Sequence, residues 1–201
     1  CRSLYEGAIP ADVLDSPMIA SPLHRLDCCL VTDGGGAVIV TSPERARDLT
    51  DNPVYLLGAT ESHIARYVAG IPDFVTSPTA VTAPHTLRKA DVTLDDIDHF
   101  QIYDPFTIAT IMAVEDLGLC PKGEGGPFLE DGKSRPGGSL PINTNGGQLG
   151  EAYIHGMNGI AEGVRQVRGT SVNQVDGAVN VLVTSGSGVP TSGLVLSSEG
   201  G

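Results

Sequence analysis

HTLRKADVTLDDIDHFQIYDPFTIATIMAVEDLGLC, residues His85–Cys120, is the stretch from which the architecture is read. It predicts a helix to about Ala90, a polar turn, a strand near His99–Ile102 and then a second helix. Asp104 is the expected N-cap of that second helix, and Pro105 fits its first position. Phe106, Ala109, Ala113 and Leu117 supply its apolar face before Gly118 ends it. Working outward, DCCLVTDGGGAVIV (Asp27–Val40) reads as a strand, a glycine turn and a second strand. PERARDL (Pro43–Leu49) reads as a short helix capped by Ser42, and VYLLGAT (Val54–Thr60) as a strand. Ile71–Pro84 is softer, rich in proline and threonine. Gly123–Asn145, carrying GEGG, RPGG and TNGG, is loop-like, and its length suggests a functional surface. Met157, Ile160, Val164 and Val167 recur at helical spacing, which predicts a helix near Ile154–Val167. Ala178–Thr184 and Ser192–Ser197 read as closing strands joined by SGSGVPT. Helices interleaved with apolar strands favour a layered α/β architecture over a bundle or a sandwich.

The 201 residues suffice for one compact domain or two small joined ones. A hydrophobic share of 40% supports a real core, and 18% charged residues argue against general disorder. A net charge of -12 disfavours a broad nucleic-acid surface, although neighbouring Arg165 and Arg168 leave room for a local phosphate contact. No apolar run is long enough for a membrane span. Cys1, Cys28, Cys29 and Cys120 lack zinc spacing, so no metal site is expected; small buried thiols in a reducing cytoplasm fit better. Opening on Cys1 without a methionine points to a fragment. DGGGA lacks the GxGxxG spacing of a dinucleotide loop, and GGPFLEDGK lacks the Walker spacing.

YDPFT (Tyr103–Thr107) and YIHGMNG (Tyr153–Gly159) each set a tyrosine just ahead of an expected helix start. Free peptide N–H groups and the helix dipole there favour negative charge, which a phenol needs to act as a base near neutrality. Taken singly, each tyrosine reads more readily as a packing residue; the similar settings of the two are what favour chemistry. Asp104 reads first as a helix cap and second as an orienter of Tyr103. His155 lacks a metal-binding spacing and reads as a supporting hydrogen bonder or a cap. Asn143 and Asn145 stand in a glycine turn, where they either form the turn or position a water or an acyl carbonyl.

LDCCLVTDGGGAVIV, YDPFTIATIMAVEDLGLCPKGEGG, FLEDG and GGSLPINTNGGQLGEAYIHGMNG, in that order, resemble the thiolase superfamily. The sterol-carrier or lipid-transfer-protein group looks closest. The resemblance implies a layered thiolase-like α/β fold of mixed sheets with covering helices, incomplete at the N-terminal side. Residues 1–60 look like the end of a first thiolase-like half and residues 61–201 like the second. A thiolase's nucleophilic cysteine belongs ahead of this chain, and Cys1, Cys28 and Cys29 do not match its motif. Tyr103 stands where that group has the histidine of HDxF, and Tyr153 where it has the histidine of HPxGxxG. Gly156 and Gly159 stay in register, and VTSGSG (Val183–Gly188) offers no second acid–base thiol.

Two phenols suit Claisen chemistry poorly and better resemble the thiolase-like aldolases of steroid side-chain degradation. That resemblance implies retro-aldol cleavage of a steroid-derived β-hydroxyacyl-CoA to a ketone and a shorter acyl-CoA. Tyr103 would take the β-hydroxyl proton and Tyr153 would protonate the enolate, with the order open to exchange. Asp104, Asn143, Asn145, Gly146, Gly147, His155 and Gly156 would support or position substrate. The resemblance further implies a homodimer, an OB-fold (DUF35-like) zinc-containing partner, coenzyme A as part of the substrate, and no cofactor in this chain. The alternatives are an acetyl-CoA acetyltransferase or 3-ketoacyl-CoA thiolase, and a non-catalytic lipid-binding scaffold.

Overall fold

The computed structural model describes residues 10–186 and 190–200. Its centre is a mixed four-stranded sheet of β3 (Tyr55–His63), β6 (Pro190–Ser197), β5 (Asn180–Ser185) and β4 (His99–Gln101), in that spatial order. β3–β6 and β6–β5 are antiparallel and β5–β4 is parallel. The covering helices are α3 (Thr79–Ala90), α4 (Thr107–Asp116) and α7 (Met157–Val167), with short α5 (Gly125–Glu130) and α6 (Gly147–Gly150) between them. Ahead of the sheet lie α1 (Pro10–Asp15), a small hairpin of β1 (Met18–Ala20) and β2 (Leu23–His24), and α2 (Pro43–Leu49).

Alternation along the strands divides the core. Phe100, Leu182 and Val195 point to one face, where Ala83 and Leu87 of α3 and Ala113 and Val114 of α4 cover them. Val181, Val183 and Leu196 point to the other face, beneath Ile160, Val164 and Val167 of α7. Missing Cβ atoms let both helices approach closely. A Cβ on Gly58 of β3 would lie 2.6 Å from the Thr86 carbonyl oxygen of α3. One on Gly163 of α7 would lie 2.9 Å from Leu196 Cδ1 and 3.0 Å from Val183 Cγ2.

Several expected elements shift. Asp27–Val40 forms no strand; its one sheet-like contact is an isolated bridge from Cys28 to Phe106. A strand needs a neighbour to complete its ladder, and among the described residues none runs beside this stretch, which leaves Ile39 and Val40 at 92% and 80% exposed. α3 begins at Thr79 and runs through Pro84, earlier than the soft composition suggests. Thr82 and Thr86 hydroxyls bond back to the Pro78 and Thr82 carbonyls, adding side-chain bonds around the proline. α2 matches its expectation, with Pro43 in its first turn and the Ser42 hydroxyl accepting from the Arg45 N–H. α5 interrupts the expected loop of residues 123–145. Part of SGSGVPT lies outside the described residues, as does Cys1. Arg165 pairs with Glu162, and Arg168 donates to the Asn52 carbonyl.

Candidate active site

Tyr103 follows β4 and is fixed through its backbone. Its N–H donates to Thr184 Oγ1 at 3.2 Å. The preceding Ile102 is held on both sides by Asn143, whose Oδ1 accepts the Ile102 N–H at 2.8 Å and whose Nδ2 donates to its carbonyl at 2.9 Å. Tyr153 enters from the loop ahead of α7, with its N–H on Thr32 Oγ1 at 3.3 Å. The two side chains meet: the Tyr103 hydroxyl donates to the Tyr153 hydroxyl at 2.9 Å, with ring centroids 6.3 Å apart. His155, exposed and at φ +53°, lays its imidazole 4.7 Å from the Tyr153 ring.

Neither tyrosine abuts a helix start as the sequence suggests, since α4 begins at Thr107 and α7 at Met157. Gly156, the N-cap of α7, nonetheless lies beside the Tyr103 ring. Burial, and then the hydrogen bond with Tyr153, push the Tyr103 phenol well above its ordinary range. Both causes disfavour the phenolate form of Tyr103 at rest.

Asp104 does not cap α4; the cap position is Phe106, without a side-chain bond. The Asp104 carboxylate turns instead to the glycine turn, where Oδ1 accepts the Gln148 N–H at 2.6 Å. Gly147, at φ +61°, makes room for it, because a Cβ there would overlap the carboxylate. Burial pushes the Asp104 carboxyl up to about 7, against the lowering effect of the Gln148 N–H. Gly146 sits at φ +106° in the same turn. Asn145 is spent within the protein: Oδ1 accepts from Gln101 at 3.2 Å and Nδ2 donates to Glu151 at 2.6 Å. Asn143 and Asn145 thus both brace this region through their amides. Gly156, at φ +87°, brings the chain close to the pair; a Cβ there would stand 3.1 Å from Ser185 Oγ and 3.6 Å from Tyr103 Cδ2.

A cavity of about 580 Å³ opens beside Tyr153, lined among others by Cys29, Leu30, Thr32, Ile154 and Met157. Cys28 and Cys29 are half-buried free thiols rather than sealed core residues, and burial raises the Cys29 thiol. Among the described residues no group of three or more His, Cys, Asp or Glu side chains has the arrangement to hold a metal ion. Sequence reasoning missed Thr32, Thr184, Gln148 and Asn158. The one local signal was Asn158, a polar residue beside the apolar stripe of α7.

A mixed sheet between helices, with two hydroxyls converging where β4 and the loop before α7 end, defines a thiolase-like architecture. The family model described as "Thiolase C-terminal domain-like" matches residues 60–197, and the chain belongs to the thiolase family. It is 48% identical over 195 residues to 17-hydroxy-3-oxo-4-pregnene-20-carboxyl-CoA lyase of Mycobacterium tuberculosis, covering 92% of this chain and 49% of that protein. It is 46% identical over 198 residues to a steroid side-chain-cleaving aldolase of Thermomonospora curvata, covering 94% of this chain and 49% of the relative. The solved Ltp2–ChsH2(DUF35) aldolase superposes with a TM-score of 0.87 at 46% identity, over 96% of this chain and 52% of that one. The chain spans about half the length of these relatives.

Proposed function

We propose that the protein containing this chain is a CoA-thioester aldolase, a carbon–carbon lyase that cleaves a steroid-derived β-hydroxyacyl-CoA to a ketone and a shorter acyl-CoA. The observation that carries the reading is the 2.9 Å hydroxyl–hydroxyl contact of Tyr103 and Tyr153. Similarity to a lyase and an aldolase acting on steroid side chains supports the substrate class. The same reading assigns residues 1–60 to the close of a first half and 61–201 to a second, supported by a family match that begins at residue 60. An OB-fold, DUF35-like partner belongs to it by similarity to the Ltp2–ChsH2(DUF35) aldolase, and a homodimer is part of the same proposal. The free thiols at Cys28, Cys29 and Cys120 support a reducing, cytoplasmic setting.

The 2.9 Å contact serves either order of the two roles. In one order Tyr103 is the base and Tyr153 the acid, and in the other the two roles exchange. Written for the exchanged order, Tyr153, once deprotonated, takes the β-hydroxyl proton, the carbon–carbon bond breaks, and the ketone leaves a thioester enolate. Tyr103 then gives its proton to the enolate carbon. One proton now sits on Tyr153 and none on Tyr103, and transfer along their contact restores the pair.

The test uses full-length protein with its partner subunit and a β-hydroxyacyl-CoA. Tyr103→Phe and Tyr153→Phe are each expected to lower kcat for ketone release by about 100-fold or more with folding retained. Near-normal turnover in both variants overturns the reading.

A further inference from the structure

Two buried carboxamides that the chemistry does not use join the backbones of the two tyrosines. Asp104, covalently next to Tyr103, accepts from the Gln148 N–H at 2.6 Å. Gln148 Nε2 donates to Asn158 Oδ1 at 2.7 Å. Asn158 Nδ2 donates to the carbonyl of Ala152, next to Tyr153, at 2.9 Å, and to that of Gly147 at 3.3 Å. The Tyr103–Tyr153 contact closes this path into a ring. Asp104, Gln148 and Asn158 are 4%, 2% and 4% exposed, so water does not compete for the links.

Gln148 Oε1 is buried without a hydrogen-bond partner among the described residues. An orphaned buried acceptor costs stability that an apolar side chain of the same length would not. An amide that leaves its acceptor unpaired while its donor bridges toward the Tyr153 backbone points to a task beyond filling the core. We infer that Gln148 and Asn158 are positioning residues that set the separation and tilt of the Tyr103 and Tyr153 hydroxyls. The inference rests on the aldolase reading and deepens it. Proton transfer between held groups depends steeply on their separation, and a displacement near 1 Å costs on the order of 10²-fold in rate. Binding of the acyl-CoA does not use these amides, so their loss acts on kcat and not on KM.

Gln148→Met and Asn158→Ala are made in the full-length protein with its partner subunit, alongside Tyr103→Phe and Tyr153→Phe. Gln148→Met keeps the volume and removes one orphaned acceptor but leaves Asn158 Oδ1 without its donor, so its melting temperature is expected to stay close to the parent's. Its kcat is expected to fall about tenfold with KM within about twofold. Its Tyr103 phenol, freed in part from the contact with Tyr153, is expected to ionise at lower pH in an ultraviolet titration read against Tyr103→Phe. Asn158→Ala is expected to show the same split, and Gln148→Met decides alone where Asn158→Ala does not fold. Parental kcat and parental tyrosine titration in Gln148→Met overturn the inference, as does a loss of stability with no change in kcat per folded molecule. In either case the aldolase reading stands if both tyrosine variants are inactive. Turnover surviving in both tyrosine variants removes that reading and this inference together.

Discussion

His99 and Asp104 stand a few residues apart and are both nearly sealed from solvent, yet burial moves them in opposite senses. It pushes His99 from its ordinary 6.5 down to about 4, and Asp104 from 3.8 up to about 7. The neutral His99 contributes stability above pH 6.5 that is lost as pH falls toward 4. The protonated Asp104 contributes stability below pH 3.8 that is lost as pH rises toward 7. The two slopes overlap and largely offset each other in the parent. Asp104→Asn is expected to leave a protein that weakens as pH falls from 6.5 to 4, and His99→Gln one that weakens as pH rises from 4 to 7. Denaturation midpoints measured across that range check both signs, and two flat profiles would refute them. Tyr103 carries a second expectation at this scale. Tyr153→Phe removes the hydrogen bond that is the second cause of its raised ionisation, while burial, the first, remains. Ultraviolet titration of that variant should show Tyr103 ionising earlier than in the parent, yet later than a free phenol.

Close packing of α3 and α7 on opposite sheet faces makes two glycines unequal. At Gly58 a Cβ meets backbone, at 2.6 Å from the Thr86 carbonyl oxygen and 2.9 Å from the Ala90 nitrogen, and helix and strand must part to admit it. At Gly163 it meets side-chain ends that can turn aside, and alanine also favours the helix by about 1 kcal/mol. Gly58→Ala is expected to cost about 1–3 kcal/mol, and Gly163→Ala to stay within about 1 kcal/mol of the parent. Urea denaturation of the pair tests the ranking; equal losses would refute it. These elements also mark what sequence could reveal. The apolar stripe of α7 was legible because burial follows helical spacing, but Asn158, Glu162 and Gln166 repeat at a similar interval and are also buried, at 4%, 3% and 0%. Periodicity read for apolar residues alone overlooks a polar stripe whose partners are distant loops. Asp104 had the residue type and the place of a cap, yet its bond goes to Gln148, a partner no local pattern names. The tyrosines were legible as a pair by their settings and their family positions, whereas their contact depends on how β4 and the loop before α7 are brought together.

Across the whole molecule, the sheet and its covers were legible in strand and helix periodicity, while Asp27–Val40 was not. The pattern of that stretch is strand-like, but a ladder depends on a neighbour that the described residues do not supply. Val31, Ile39 and Val40 stand almost fully open to solvent within it. The 201-residue chain prepared alone is therefore expected to self-associate, and Ile39→Lys with Val40→Glu to raise its monomer fraction. Light scattering after size exclusion measures this; an already monomeric parent would refute it. Among the described residues, no helix is long and apolar enough to cross a membrane. The longest pairing in the sheet joins Tyr55–His63 to Pro190–Ser197, so one partner is made well before the other. Throughout the intervening synthesis the earlier strand has no mate for its ladder, and the nascent chain carries an unpaired edge until the later strand is made. Translation rate and chaperone supply thus bear on the yield of this protein more than on that of a chain whose strands pair with their immediate successors.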